Sequence, residues 1–229
     1  ELLNLCPACN ASTFIPYLEV KDHSVSHETF QLVECTSCGL VFTNPRPEPE
    51  AIGKYYKSEE YISHTNSSSG LMNKAYQLAR KRAIVGKMKV LESMNADPRM
   101  LLDYGCGTGE FLAAAKAKGW VCAGLEPDEG ARSQARKNYS LNVEGPEHLK
   151  NLPSGQFGAI TLWHVLEHVH NLQETVKQLR RCLSTKGVLI IAVPNRTSYD
   201  AEVYGPYWAA YDVPRHLYHF SKKPMLQLI

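Results

Sequence analysis

The sequence predicts an α/β protein in which a doubly wound, mostly parallel sheet follows a small cysteine-rich unit. Three observations support this class. Strand and helix signals alternate from Met100 onward, glycines separate the first of these strands from its helix, and two cysteine pairs precede residue 40. Buried strands that alternate with helices are typical of a parallel sheet covered on both faces. Because 229 residues exceed one typical domain, we expect a full domain and a smaller one.

Apolar periodicity and turn residues predict the position of each element. We expect strands at 100–103, 120–125, 142–144, 157–163 and 188–193, and helices at 110–118, 128–138 and 172–183. Asp128 is typical of a helix N-cap, and Gly119 of a C-terminal cap. Helical spacing also predicts a helix over 71–94, whose lysine- and arginine-rich face we interpret as a solvated surface, with a basic patch for an anionic substrate as the weaker alternative.

The N-terminal cysteines have the spacing of a zinc site. They form the pattern C-x2-C-x25-C-x2-C with Cys6, Cys9, Cys35 and Cys38. Two such pairs supply four thiolates for tetrahedral zinc. Strand patterns at 30–34 and 40–42 predict a hairpin around the second pair. We therefore predict a closed, structural zinc ribbon with four cysteine ligands over 1–44, followed by a proline-rich linker and N-terminal helices over 45–96.

The strongest functional motif lies between the strand at 100–103 and the helix after it. It reads Asp103-Tyr104-Gly105-Cys106-Gly107-Thr108-Gly109. Its glycines allow a tight turn and the close approach of a ligand. The third glycine is one residue early for the dinucleotide pattern, and no P-loop Gly-Lys-Ser/Thr follows. Glu126 ends the next strand, where a doubly wound fold has the carboxylate that binds ribose hydroxyls.

These residues resemble the class I S-adenosylmethionine-dependent methyltransferases over about residues 97–195. The resemblance implies a Rossmann-like sheet, S-adenosylmethionine as cofactor, and further antiparallel strands that lie outside this sequence. It implies that Asp103 orients the methionine amino group and that Glu126 holds the ribose. The other cofactor-binding residues that it implies are Gly105, Cys106, Gly107, Gly109, Pro127, Glu147, His148, Trp163 and His164.

The segment His164-Val165-Leu166-Glu167-His168 also fits H-x-x-E-H, a zinc-protease signature. That chemistry requires both histidines on one helical face. Because His164 directly follows an apolar strand, we predict a loop at the mouth of the cofactor cleft instead. His168 remains a candidate acid or base on the substrate side, together with His216 and His219.

Residues 199–220 are enriched in aromatic side chains. We expect this aromatic-rich insert, 196–220, to lie over the carboxyl ends of the strands of a core that spans 97–229. The cysteine pairs, the proline linker and the segment from Asp212 to Phe220 together resemble a bacterial group of zinc-ribbon methyltransferases. That resemblance implies a small polar methyl acceptor from sugar, cell-surface or secondary metabolism.

Charge and composition weigh against other classes. The net charge is +2, and Lys21 is the single lysine or arginine of residues 1–44. No basic stripe is therefore available for nucleic acid, and an RNA methyltransferase is the weaker alternative. A non-catalytic cofactor-binding scaffold is a second alternative, which the intact glycines and Glu126 disfavour. We expect no membrane span and a reducing, cytoplasmic location; the oligomeric state is open.

Overall fold

The computed structural model describes residues 1–56 and 71–229, and the side chains of all of these except 71–77. They form two compact units. The N-terminal unit holds the described part of Glu1–Ser67 together with Leu166–Val176 and Val193–Ile229. The sheet unit holds the described part of Ser68–Val165 together with Lys177–Ala192.

The strands and helices are numbered in chain order. The strands are β1 Phe14–Lys21, β2 Thr29–Cys35, β3 Val41–Thr43, β4 Met100–Tyr104, β5 Val121–Leu125, β6 Asn142–Glu144, β7 Phe157–Trp163, β8 Leu183–Ala192 and β9 Tyr218–His219. The helices are α1 Leu71–Ser93, α2 Glu110–Ala117, α3 Glu129–Tyr139, α4 Leu172–Cys182, α5 Tyr199–Tyr204 and α6 Lys222–Leu228. Short 3-10 helices include Ile52–Tyr56, Pro146–Asn151 and Leu166–His168.

The sheet unit is built on a parallel sheet with the strand order β6-β5-β4-β7-β8. Leu101, Leu102 and Ile160 on its central strands are fully buried, as expected where helices cover both faces. After β4 the chain forms β5 and β6 on one side of this strand, and it then crosses to form β7 and β8 on the other side. Such a reversal opens a crevice at the carboxyl ends of the strands, where open α/β sheets bind ligands. The predicted fold class is confirmed.

The four helices that the sequence predicts are confirmed, with ends that differ by one residue. Asp128 caps α3 by accepting a 2.7 Å hydrogen bond from the backbone N–H of Ala131. Helix α1 packs against the sheet-unit core through Leu91, which is fully buried. Its basic face is only partly solvated, however, because Arg80 and Lys87 are half-buried. For these two side chains the interpretation of a plain solvent face was wrong.

The N-terminal unit contains an antiparallel sheet with the order β1-β2-β3-β9. Its last strand comes from the aromatic-rich segment, because Phe42 pairs with Tyr218 and Val41 with His219. Tyr218 and Phe220 are almost completely buried. The segment 196–220 therefore belongs to the unit of the cysteine pairs, and not to the continuous 97–229 core that we expected.

Several boundaries also differ from the predictions. The sequence analysis did not predict strand β1. The register of its pairing with β2 shifts between Pro16 and Leu18, and such an irregularity interrupts the regular alternation by which a strand is identified. Strand β8 begins at Leu183 and not at 188. The expected helix near 50–62 is a 3-10 helix over Ile52–Tyr56, and its remainder, like the serine-rich loop at 66–70, lies outside the described residues. Along the described chain, no helix is long and apolar enough to cross a membrane.

Candidate active site

The glycine motif directly follows strand β4 and therefore lies at the carboxyl edge of the sheet. Gly105, Gly107 and Gly109 have φ angles of 78°, 55° and 86°, which L side chains rarely adopt. A Cβ at Gly105 would clash with the side chain of Val165, and one at Gly109 would lie 2.7 Å from Leu141 Cδ1. At Gly107 no described atom lies within 4 Å of that position. Packing thus requires two of the glycines, and the middle one is open to a ligand.

Glu126 follows β5 and is tied to this loop. Its Oε2 accepts a 2.8 Å hydrogen bond from the Gly107 N–H, and its Oε1 accepts a 3.0 Å bond from the Asp128 N–H. The residue is 9% exposed. Two backbone donors therefore fix the carboxylate, while each oxygen keeps a further lone pair for a hydroxyl. The structure brings the predicted ribose-binding residue to the glycine loop.

Asp103 is a buried acid near the end of β4. The Thr161 hydroxyl on neighbouring β7 donates a 2.6 Å hydrogen bond to its Oδ1. Burial raises the pKa of Asp103 to about 7, against the opposing effects of Thr161 and the Lys87 charge. A cationic group bound beside Asp103 would favour its ionised form. This is the chemistry that a methionine ammonium requires.

Two basic residues of α1 were not identified as site residues from the sequence. The Lys87 Nζ lies 5.1 Å from the ring centroid of Trp163 and 5.9 Å from that of Phe111. Arg80 Nη2 donates to Thr108 Oγ1 at 2.9 Å. Their spacing in the sequence did indicate a shared helix face, because residues seven apart lie on the same face of a helix. Sequence periodicity could not show that this face meets the glycine motif.

The remaining predicted cofactor residues also belong to the sheet unit. Cys106 Sγ lies 2.6 Å from the position of a Cβ on Gly124, so the thiol packs onto β5 and only its backbone is left for a ligand. Pro127 follows Glu126 directly. Glu147 and His148 follow β6, joined by a 3.3 Å contact between Oε1 and Nδ1. His164 follows β7 in an exposed, left-handed conformation with φ 59°.

The H-x-x-E-H segment does not form the helix that a zinc protease requires. The backbone is left-handed at His164 and then makes a 3-10 turn over Leu166–His168. The predicted loop is confirmed. Glu167 and His168 instead lie near His216, with one potential ligand atom of each residue within 4.8 Å of the others.

His168 and His216 form a pair in the N-terminal unit. Their rings meet edge to face at a centroid distance of 4.7 Å. His168 Nδ1 lies 3.0 Å from both the Arg215 carbonyl oxygen and the Tyr56 hydroxyl. His216 Nδ1 lies 2.8 Å from the carbonyl oxygen of Ala210. Burial, assisted by the charge of His216, lowers the pKa of His168, so its imidazole is neutral and able to accept a proton at pH 7.

His219, the third candidate base, is placed differently. It is 3% exposed, and its ring packs against that of Tyr211 at 5.2 Å. Burial lowers the pKa of His219 to about 3. With so low a pKa, His219 is a much weaker proton acceptor than an ordinary histidine.

The segment around Arg215 carries a buried ion-pair network that the sequence did not reveal. Arg215 Nη2 lies 3.1 Å from Asp22 Oδ1 and 2.6 Å from Asp212 Oδ1. Asp22 also accepts hydrogen bonds from the backbone N–H groups of Ser24 and Ser26. Burial disfavours ionisation of Asp22, but these bonds and Arg215 outweigh it and lower the pKa to about 2. The pair of Arg215 with Asp22 therefore links this segment to the turn after β1 within the N-terminal unit.

The four N-terminal cysteines converge as the spacing predicted. Their Sγ atoms all lie within 4.8 Å of one another. The Cys6–Cys38 and Cys9–Cys35 pairs are each separated by 3.6 Å, and all four are free thiols. A zinc ion with Zn–S bonds of about 2.3 Å implies edges of roughly 3.8 Å between sulfurs. The donor set and its spacing fit a tetrahedral zinc ion.

The parallel sheet, the open glycine loop after β4 and the anchored Glu126 define the class I S-adenosylmethionine-dependent methyltransferases. A family model described as "Methyltransferase domain" matches residues 60–228, and the chain belongs to this family. The chain is therefore assigned to a family of methyltransferases.

Individual relatives are more distant. A ubiquinone biosynthesis O-methyltransferase from Pelagibacter ubique is 28% identical over 149 residues, which are 56% of this chain and 61% of that protein. The Rickettsia typhi enzyme of the same name is 27% identical over 183 residues, which cover 74% of this chain and 72% of that protein. The chain thus spans less than two thirds of the first relative. The crystal structure of a SAM-dependent methyltransferase from Archaeoglobus fulgidus aligns with a TM-score of 0.54 at 23% identity, over 64% of this chain and 66% of that one, and shows the fold.

Proposed function

We propose that this protein transfers the methyl group of S-adenosylmethionine to a small polar acceptor from sugar, cell-surface or secondary metabolism. The observation that carries the proposal is the Glu126 carboxylate, which two backbone N–H groups hold at the open glycine loop. A fixed, poorly exposed carboxylate at this sheet edge suits the two hydroxyls of a ribose. Near-neutral charge supports a small molecule over a nucleic acid as acceptor.

Different residues of the sheet unit bind different parts of the cofactor. Asp103 binds the ammonium, Glu126 binds the ribose, and Gly107 allows the backbone to approach. The side chains after β6, Glu147 and His148, lie on the adenine side, and those after β7, Trp163 and His164, lie on the methionine side. When bound, S-adenosylmethionine supplies an activated methyl group, so these residues have to align it with the acceptor and exclude water.

The acceptor atom is proposed to be a hydroxyl oxygen. The curated relatives reported above are named O-methyltransferases, and a hydroxyl must lose its proton as it is methylated. His168 is the proposed base, with His216 as its neighbour, because a neutral imidazole accepts protons at pH 7. Along the chain, His168 comes five residues after Trp163, which places it next in sequence to the methionine-side residues.

The cysteine cluster is proposed to bind one structural zinc ion. Four thiolates leave no open coordination position, so the ion stabilises the N-terminal unit and takes no part in methyl transfer. Reduced cysteines and zinc are consistent with a cytoplasmic protein.

Methyl transfer can be tested with cofactor labelled in its methyl group. The full chain is incubated with acceptor panels of sugar nucleotides, hydroxylated aromatic compounds and secondary metabolites, and labelled products are counted. We expect labelling within one small-molecule panel. At a cofactor concentration that is limiting for the unaltered protein, Glu126→Ala should label far less product and the exposed neighbour Glu129→Ala a normal amount. Labelling of RNA, with none in the small-molecule panels, would replace this proposal by the RNA alternative.

A further inference from the structure

An open cavity of about 330 Å³ lies within the N-terminal unit. One wall is formed by residues 20–24, at the end of β1 and in the turn after it, and the other by residues 206–215. The buried side chains of Arg215 and Asp22 belong to its lining. A concave surface of this volume, with apolar walls and a few polar groups, is typical of a small-molecule site.

Two aromatic residues line the cavity on the side of 206–215. Tyr207 is 75% exposed, and its ring lies 5.9 Å from that of His23. The Trp208 ring packs nearly perpendicular to that of Tyr211 at a centroid distance of 5.2 Å, which fixes its orientation. An exposed aromatic ring gains free energy when a ligand covers it, and its electron-rich face attracts weakly positive C–H groups.

The charged side chains of the lining balance one another. Lys21 and Arg215 are positive, and Asp22 and Asp212 are negative. Arg215 donates its N–H groups to both acids and to the carbonyl oxygen of Tyr55. Asp212 accepts from Arg215 through Oδ1, whereas its Oδ2 has no hydrogen bond to any residue that the structure describes. The cavity therefore lacks a net charge that would attract an ion, and it offers one carboxylate oxygen to a hydroxyl donor.

Asp212 has a strained backbone at the edge of this cavity. Its φ angle is 36°, a left-handed conformation that is costly for a residue other than glycine and is concentrated at functional sites. The side chain is 32% exposed, so a ligand can reach it. Asp212 Oδ2 also lies 3.9 Å from Nε2 of His216, whose ring meets that of His168. The cavity and the histidine pair therefore share Asp212.

We propose that this cavity binds an uncharged sugar residue of the methyl acceptor. The C–H face of the sugar ring packs on Tyr207 beside Trp208, and a sugar hydroxyl donates to Asp212 Oδ2. A hydroxyl bonded to a carboxylate is a charge-assisted hydrogen bond, and ring packing supplies the apolar part of the affinity. This inference rests on the proposed function, because it narrows the acceptor classes named there to sugars and molecules that carry one.

Neutral methyl glycosides of glucose, galactose, mannose and rhamnose are the probes. Each is titrated into the full chain, and binding is followed by saturation-transfer NMR. We expect at least one glycoside to bind with a Kd of about 1 mM, as ligands of this size do. Tyr207→Ala should weaken it about five- to tenfold. The matched control Tyr199→Ala removes a tyrosine that is 78% exposed and lies outside the cavity, and it should change nothing. Because both side chains are exposed, neither substitution should disturb folding.

Binding of none of the glycosides, or equal binding by Tyr207→Ala and the unaltered protein, would overturn the inference. Tighter binding of methyl glucuronide than of methyl glucoside would also overturn it, since a lining without net charge gives no advantage to an anion. S-adenosylhomocysteine is titrated separately. Normal binding of S-adenosylhomocysteine without any glycoside binding rejects the sugar site alone, whereas failure to bind S-adenosylhomocysteine rejects the proposed function.

Discussion

Thr161 donates a 2.6 Å hydrogen bond to Asp103, its register partner on the neighbouring parallel strand. Both side chains are buried. The bond fixes the orientation of the carboxylate, and burial keeps the pKa near 7 and thus far above the usual range. The free protein therefore holds an acid that ionises readily once a cation binds beside it.

This arrangement predicts pH-dependent cofactor binding. Asp103 is protonated below pH 7 in the free protein, and a bound ammonium favours its ionised form. Affinity for S-adenosylhomocysteine should therefore fall as the pH drops from 7 to 5.5, by up to about tenfold per pH unit. Calorimetry at pH 6 in buffers of different ionisation enthalpy should show proton release. Proton uptake would contradict the assignment, and Asp103→Asn should remove the dependence.

Thr161→Val tests the hydrogen bond itself with little change in volume. The Thr161 hydroxyl lowers the pKa of Asp103, so its removal should raise that pKa further. The midpoint of the affinity–pH curve should then move to higher pH, while affinity well above the midpoint changes little. A midpoint that stays in place would show that the bond does not control ionisation of Asp103.

The N-terminal unit should depend on zinc. Purified protein should contain about one zinc ion per chain, and Cys38→Ser should lose the metal and lower the melting temperature, because binding of structural zinc stabilises the fold. Cys122→Ser serves as the control, since this partly buried thiol lies outside the cluster. Less than half an equivalent of zinc in the unaltered protein, or full zinc content in Cys38→Ser, would contradict the site.

The Arg215–Asp22 pair should make a large contribution to stability. Arg215→Met leaves Asp22 buried without its cation, and the free energy of unfolding should fall by about 3–5 kcal/mol in urea titrations. Arg99→Met, which breaks an exposed pair with Glu92, should cost at most about 1 kcal/mol. Similar losses in the two variants would contradict the structural role of Arg215.

The same pair predicts the behaviour of the protein in acid. The pKa of Asp22 is about 2 in the folded protein and roughly 3.9 in an unfolded chain. Its contribution, about 2 kcal/mol, is therefore complete above about pH 5 and is lost as the pH falls toward 2. Asp22→Asn should flatten the stability curve over this interval. An unchanged curve would assign the acid sensitivity to other carboxylates.

Much of the sheet unit follows from local sequence. The glycine motif, Glu126 and the N-cap Asp128 each have a local pattern, and the fold they predicted is present. The pairing of β9 with β3 had no such signal, because two residues are too few for a periodic pattern and their partner lies far away in the chain. Lys87 was missed for a similar reason, since periodicity identifies a helix face but not the surface that it meets.

Calorimetric titration of the full chain with S-adenosylhomocysteine tests the central claim most directly. We expect one site per chain and a loss of about 10–100-fold in affinity for Glu126→Ala, because the carboxylate bonds to the ribose are removed. Glu129→Ala, an exposed acid of the following helix, should bind normally. Absence of binding by the unaltered protein, or unchanged affinity in Glu126→Ala, would contradict the assignment of this cleft to S-adenosylmethionine.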